Sequence, residues 1–378
     1  MYSQLVDLQL VFKFGSPKRW SLRREMRALV VVVAVAATAA ARRRRAGLQA
    51  SSAACWKVAP QRGRLKENVG HQGEELTYRI VAAALSRRAP RVVWWPWPAL
   101  PWSRDVLNAT LPGVRFVGEG APEPAECGGD ARTITPEYRA PQWRLAGSHA
   151  KARRAARDAC GVAPRRDYDG AVVVRVLERT DAADAVHRGA KRVELCGGRP
   201  VDRRVRDVDF IRGLAARAAA AAGRRVDFKV DAVPNDDPGD LCAQLRRFAN
   251  VDVLVSIHGA HLVNAPWMDA GSLLLEVLPY AHKKKRHHSR LLVDTDIHYD
   301  KLCGVRPDAS LPAREAACEG RTAAARDCTA RARDCFATPL RGADDAACAG
   351  AAAESCECPG RVERRLAALF RKGRPVTT

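Results

Sequence analysis

The chain has 378 residues, 47% of them hydrophobic, which suffices for one large or two medium domains with a sizeable core. Its formal charge is +22, with 64 Lys+Arg, a balance that often signals nucleic acid, anionic membrane or acidic substrates. The arginines are scattered and form no stripe with interleaved aromatics, so nucleic acid is set aside as a partner. Alanine and arginine abound throughout, as a GC-rich coding bias would produce.

Residues 1–45 read as a targeting segment. Lys18, Arg19, Arg23, Arg24 and Arg27 precede the apolar run Ala28–Ala41, and Arg42–Arg45 follow it. The run is shorter than the ~20 residues of a comfortable membrane span. Flanking arginines that snorkel let a short helix cross. The expectation is a cytoplasmic basic segment plus signal anchor, giving a single-pass protein of the Golgi or endoplasmic reticulum membrane with a lumenal body. A cleaved signal peptide and an organelle transit peptide are the alternatives. Twelve cysteines, in no CxxC…CxxC arrangement, point to disulfides in a secretory lumen. Seven of them (Cys303, Cys318, Cys328, Cys335, Cys348, Cys356 and Cys358) fall in the last part of the chain. Asn108-Ala109-Thr110 is an N-glycosylation sequon.

Residues 46–147 predict a small α/β lobe whose pattern is thin. Leu76–Leu85 suits a helix, and Arg91–Trp95 and Val114–Val117 suit short strands. Trp94-Trp95-Pro96-Trp97-Pro98, with Trp102 behind it, is an aromatic loop broken by proline. Such rings stack on sugars or cover a small core, and the core is the commoner use.

From residue 148 the pattern strengthens. Ala150–Cys160 predicts a helix stopped at Gly161. Asp169–Leu177 predicts a buried strand with Arg175 near its end. Asp209–Ala222 predicts a helix, Val226–Val230 a strand, and Asp240–Ala249 a helix carrying Gln244 beside its buried face. The order is that of an alternating parallel α/β fold.

Two apolar runs follow, Val253–Ile257 and Ser272–Leu278, each of buried-strand length. Between them lie His258-Gly259-Ala260-His261, then Leu262, Val263 and Asn264, with a short helix expected around Leu262–Met268. A small-residue turn directly after a buried strand is where open α/β sheets place a ligand. Glu276 lies inside the second run, where a carboxylate needs a partner.

HGAHLVN, Trp267-Met268, Ala270-Gly271-Ser272 and Leu275-Glu276-Val277-Leu278-Pro279 resemble the signature of the family 61 glycosyltransferases, with Asp252 and Gln244 fitting its preceding aspartate and glutamine. His261 stands where glycine is common, and Val263 replaces a usual Thr or Ser. The resemblance covers residues 148–300, with motif support at 244–279. It implies a GT-B-like pair of facing Rossmann-like domains, the first one small. It also implies inverting, metal-independent transfer of GlcNAc or a pentose from a UDP-sugar to a protein or polysaccharide acceptor, with no cofactor. Arg175 matches an arginine that ends the family's equivalent strand, where a guanidinium suits a pyrophosphate. By resemblance His258 contacts the nucleotide sugar, and His258 and His261 are the candidate catalytic side chains. Arg175, Gln244, Gly259, Ala260, Asn264 and Glu276 are the candidate substrate-binding residues, with Glu276 accepting from ribose hydroxyls. The base stays open among Asp105, Glu119 and His261. The rival reading is a catalytically degenerate, disulfide-rich lumenal or extracellular binding protein.

Asp294-Thr295-Asp296 has the form of a metal-binding DxD motif, but LLVDTDIHYDKL aligns better with a later strand of the family, where Tyr299 matches a recurring tyrosine. Lys283–His288 reads as a solvated basic loop. Residues 302–378 read as a Cys-rich tail in which Ala313–Cys318, Thr322–Arg333 and Val362–Phe370 suit helices clamped by disulfides into a small appendage, which either binds an acceptor or only caps the catalytic domain.

Overall fold

Short apolar strands alternate with amphipathic helices along the computed structural model. It describes residues 54–59, 72–86, 89–129, 131–136, 147–164, 170–180, 202–203, 205, 207–234, 240–278, 287–303 and 359–372. The expected targeting segment, Lys283–Arg286, and the tail helices Ala313–Cys318 and Thr322–Arg333 lie outside these residues. Among the described residues no helix is long and apolar enough to cross a membrane. The described residues all fall within one compact unit, Ala53–Thr378.

The first sheet holds strands β1 (Cys55–Val58), β2 (Val92–Trp94), β3 (Arg115–Val117) and β4 (Arg132–Ile134), all parallel, in the order β3-β2-β1-β4. β1 (CWKV) and β4 (RTI) are short and mix polar with apolar residues, unlike the Val-Val-Trp run of β2, which is why they escape a reading by pattern. Helix α1 (Tyr78–Ser86) continues from a π-helical turn, Gly73–Thr77. Helix α2 (Pro101–Thr110) opens on a proline, whose fixed φ and missing N–H suit the first helical position. The tryptophan loop is core: Trp95, Trp97 and Trp102 are all buried, and Trp95 stacks edge-on against Trp97. A disulfide from Cys55 to Cys127 pins β1 to the turn Ala125–Cys127.

After helix α3 (Ser148–Ala159) comes the second sheet, built from β5 (Val172–Thr180), β7 (Val226–Pro234), β8 (Val253–Ile257), β9 (Leu273–Leu278) and β10 (His298–Cys303). These five run parallel in the order β7-β5-β8-β9-β10, and the two-residue β6 (Asp202–Arg203) lies antiparallel against the end of β5. The helices between them are α4 (Val208–Ala220), α5 (Leu241–Phe248) and α6 (His287–Leu291), and α7 (Pro359–Lys372) comes last. Asp240 caps α5 by accepting from the Ala243 N–H. A second disulfide, Cys160–Cys242, ties the end of α3 to α5.

Side chains on β8 and β9 alternate between two cores, as the pleat requires. Val253, Val255, Ile257, Leu273, Leu275 and Val277 join the core formed with α4 and α7. Leu254 and Leu274 join a second core with α3, α5, α1 and α2. Helices therefore cover both faces, and each fully buried Leu or Val contributes about 1.5–3 kcal/mol. The second core also includes Trp56, Val58 and Val93 of the first sheet, so the two sheets share one apolar interior.

The strand ends differ from the pattern. Strands β5 and β7 run three or more residues past their expected ends, because pairing over Val172–Thr180 and Val226–Pro234 continues through polar positions. The described end of the tail is a helix that covers the second sheet: Val362, Leu366 and Phe370 on one face of α7 pack into its core, and Arg365 pairs with Asp300 of β10.

Candidate active site at the carboxyl end of β8

Counted along the chain, the parallel strands of the second sheet have the order 2-1-3-4-5. In such a sheet the connections leave β5 and β8 in opposite directions, which opens a crevice beyond their carboxyl ends. His258 and Gly259 follow β8 directly at that place, and the His258 N–H donates to the carbonyl of Val277. A 3-10 segment, Ala260–Trp267, then carries the rest of the motif in place of the expected α-helix. It contains Pro266, which cannot donate within a longer α-helix. Gly259 is extended (φ −176°), so its backbone would admit other residues.

Glu276 occupies the neighbouring strand, 1% exposed. Its Oε1 accepts from Nδ1 of His258 at 2.5 Å and from Nδ1 of His288 at 2.7 Å, and the Tyr299 hydroxyl donates to its Oε2. Burial pushes the Glu276 carboxyl up, but the His288 and His258 imidazoles outweigh it and hold the group well below the usual carboxylate range. Burial, reinforced by that carboxylate, pushes the Tyr299 phenol far above its ordinary value. The strand thus carries a buried anion surrounded by donors. His258 sits at its outer edge with its side chain 16% exposed.

The other motif residues divide into two groups. His261 turns back to the strand, its Nε2 at 2.7 Å from the Ser256 hydroxyl. Asn264 is buried, accepting from the Trp102 indole at 2.8 Å and donating to the His261 carbonyl at 3.0 Å and to Gln244 at 3.5 Å. Gln244 is buried with it. Asp252 accepts from the Val173 N–H and fastens β8 to β5. His258, Gly259, Ala260, His261, Gln244, Asn264 and Glu276 are therefore brought together around one turn. Arg175 is not: it pairs in register with Leu254, mid-strand, and bonds Asp227 on β7 at 3.3 Å. The longer β5 explains this, since the end of the strand falls at Thr180.

Of the candidates for a base in the first lobe, Glu119 lies in the turn after β3 and Asp105 on α2. Asp296 of the DxD-like triplet is engaged with α3. Arg153 grips both its oxygens at 2.7 and 2.8 Å, and His149 lies 3.5 Å away. Burial raises the Asp296 carboxyl, but Arg153 and then His149 hold it well below its usual range. Asp294 has a left-handed backbone (φ 63°) and shares none of these bonds. The pair thus reads as a strap between α3 and the start of β10.

Two members of the Glu276 cluster escape a reading of the motif as a donor site. His288 closes a basic run that looks like a solvated loop, yet it is buried on α6. No periodicity marks it. Tyr299 lies on β10, which pairs with β9 in parallel; the resemblance singles it out as a recurring tyrosine but does not link it to Glu276.

No protein-family model matches the chain, and no curated protein matches it. The functional reading therefore rests on the motif and its geometry.

Proposed function

We propose that this protein is an inverting glycosyltransferase with a GT-B-like pairing of its two parallel-sheet lobes. It moves GlcNAc or a pentose from a UDP-sugar to a protein or polysaccharide hydroxyl. The observation that carries this reading is the position of the HGAH turn. It lies at the carboxyl end of β8, where the strand order switches between β5 and β8, with a buried carboxylate behind His258. Inverting transfer needs a base for the acceptor hydroxyl and a charged or dipolar partner for the departing diphosphate. His258, which stands outside the three residues that the sequence leaves open for the base, takes that part here. It is partly exposed on Glu276, while His261 is engaged with Ser256. The start of the 3-10 segment offers its backbone N–H groups to the diphosphate. No metal enters this scheme. The two disulfides suit a lumenal body held in the Golgi or endoplasmic reticulum by the N-terminal segment.

The rival reading, a binding protein of the same fold that no longer catalyses, draws on Asn264 and Gln244, whose amides serve each other and Trp102.

Calorimetric titration of UDP into the body, produced in an oxidising compartment and kept in EDTA, tests both. Micromolar binding that His258→Ala abolishes supports the transferase site, and turnover with a UDP-sugar panel separates it from the binding protein. Binding to none of UDP, GDP and CDP, with or without Mn²⁺, sinks the transferase reading.

A further inference from the structure

The surroundings of Glu276 prescribe the proton on His258. A carboxylate oxygen accepts, so each nitrogen that approaches it closely carries a hydrogen. Nδ1 of His258 and Nδ1 of His288 both approach Oε1, and the Tyr299 hydroxyl approaches Oε2. The three donors come from three elements: the turn after β8, α6 and β10. The two imidazoles are tilted by 57°, with centroids 5.1 Å apart, so one oxygen serves both without the rings clashing. An imidazole that donates from Nδ1 and is neutral keeps its basic lone pair on Nε2, whereas an imidazolium would donate from both nitrogens.

We propose that Glu276, His288 and Tyr299 are positioning residues for His258. His288 and Tyr299 fill the acceptor sites of Glu276 and hold its carboxylate ionised and in one orientation. Glu276 in turn fixes His258 as the Nδ1–H tautomer. This rests on the glycosyltransferase reading and completes it. The Nε2 lone pair takes the proton of the acceptor hydroxyl as that oxygen bonds to the anomeric carbon. The bond from that carbon to the diphosphate breaks, and its electron pair leaves with the diphosphate. The proton ends on His258, whose imidazolium then faces the Glu276 carboxylate. This is the arrangement of a nucleophile's base steered by a third group. It gives Glu276 a role through His258 in place of a contact to ribose.

The same ligand atoms of His258, Glu276 and His288 lie within 4.8 Å of one another, a spacing that a divalent ion also accepts. A metal would bind the two Nδ1 atoms and displace their hydrogens, so the two arrangements differ at the proton itself.

The test is two-dimensional ¹H–¹⁵N spectroscopy of the full chain labelled with ¹⁵N-histidine, the His258 signal being identified by its loss in His258→Gln. The expected spectrum shows His258 with a protonated Nδ1 and an unprotonated Nε2, unchanged by EDTA. In Tyr299→Phe and, separately, His288→Gln, the two nitrogen shifts of His258 converge toward a mixture of tautomers, while the signals of His149 and His261 stay in place. Unchanged His258 shifts in a folded Tyr299→Phe or His288→Gln protein overturn the proposal. So does a stoichiometric metal whose removal changes the His258 nitrogens. The readout needs no nucleotide: tautomer coupling without UDP binding upholds the network and removes the transferase reading, and UDP binding without coupling does the reverse.

Discussion

Trp102 of α2 donates its indole N–H to Oδ1 of Asn264, 2.8 Å away, and so joins the first lobe to the segment that carries the motif. Tyr78 of α1 does the same one residue earlier, its hydroxyl donating to the Val263 carbonyl at 2.7 Å. All four residues are buried. The segment that carries the HGAH motif is thereby held by two helices that pack beside the first sheet. Asn264→Ala leaves the indole N–H buried without its acceptor, and such a loss costs roughly 1–3 kcal/mol. The urea midpoint should fall accordingly, and Trp102→Phe added to Asn264→Ala should cost less than the sum of the two single changes.

Gly73 is required for contact and not for φ. A Cβ there would lie 2.2 Å from Cγ2 of Val263 and 3.0 Å from the Trp102 ring. Gly73→Ala should destabilise by about 1–3 kcal/mol through overpacking. Val263→Ala in the same chain should recover part of that loss in thermal unfolding, although Val263→Ala alone destabilises.

Asp296 should matter for stability and not for nucleotide binding. Asp296→Asn weakens the double hydrogen bond from Arg153, which is itself buried. A loss of roughly 1–3 kcal/mol is expected for a bond to a charged group. The affinity for UDP, measured with and without Mn²⁺, should stay at the wild-type value. An affinity that drops only in the presence of Mn²⁺ would restore the DxD reading.

Acid should unfold the protein partly through Glu276. Its folded carboxyl lies below the unfolded value of about 4.3, so the unfolded chain binds the extra proton. The stabilisation is complete above that value and declines as the pH falls below it. His149 acts in the same direction and earlier: burial, only partly offset by Asp296, lowers its folded value, so stability falls as the pH drops through about 6.5. Urea midpoints between pH 7 and pH 3 should decline in two stages. His149→Gln should remove the first and Glu276→Gln should flatten the second.

The disulfide between Cys160 and Cys242 spans 82 residues and locks α3 to α5, next to the strap of Arg153 and Asp296. Replacing both cysteines by serine should cost about 2–4 kcal/mol. Non-reducing peptide mapping should recover Cys160 linked to Cys242 and Cys55 linked to Cys127 from protein made in the secretory pathway.

Much of the second lobe was legible from the chain alone, because its strands are buried on both faces and read as unbroken runs of Val, Ile and Leu. Val253–Ile257 and the run ending at Leu278 fall where the apolar pattern places them. The turn between them announces itself through His, Gly and Ala at a strand end. Less of the first lobe was legible. Cys55–Val58 and Arg132–Ile134 are strands only because β2 and β1 lie beside them, and so short a segment carries no period of its own.

What the sequence by itself determined is the alternation of strand and helix, the place of the HGAH turn after a buried strand, and the need of Glu276 for partners. Each is local, set by the period of the side chains or by the cost of burying a charge. Only the tertiary structure decided who those partners are. His288 comes from a short helix after a basic run and Tyr299 from the next parallel strand, and parallel pairing brings β10 beside β9 across a connection whose composition says nothing of the contact. It likewise moved Arg175 away from the turn, because strand register is fixed by the whole ladder with β7 and not by the residues around the arginine.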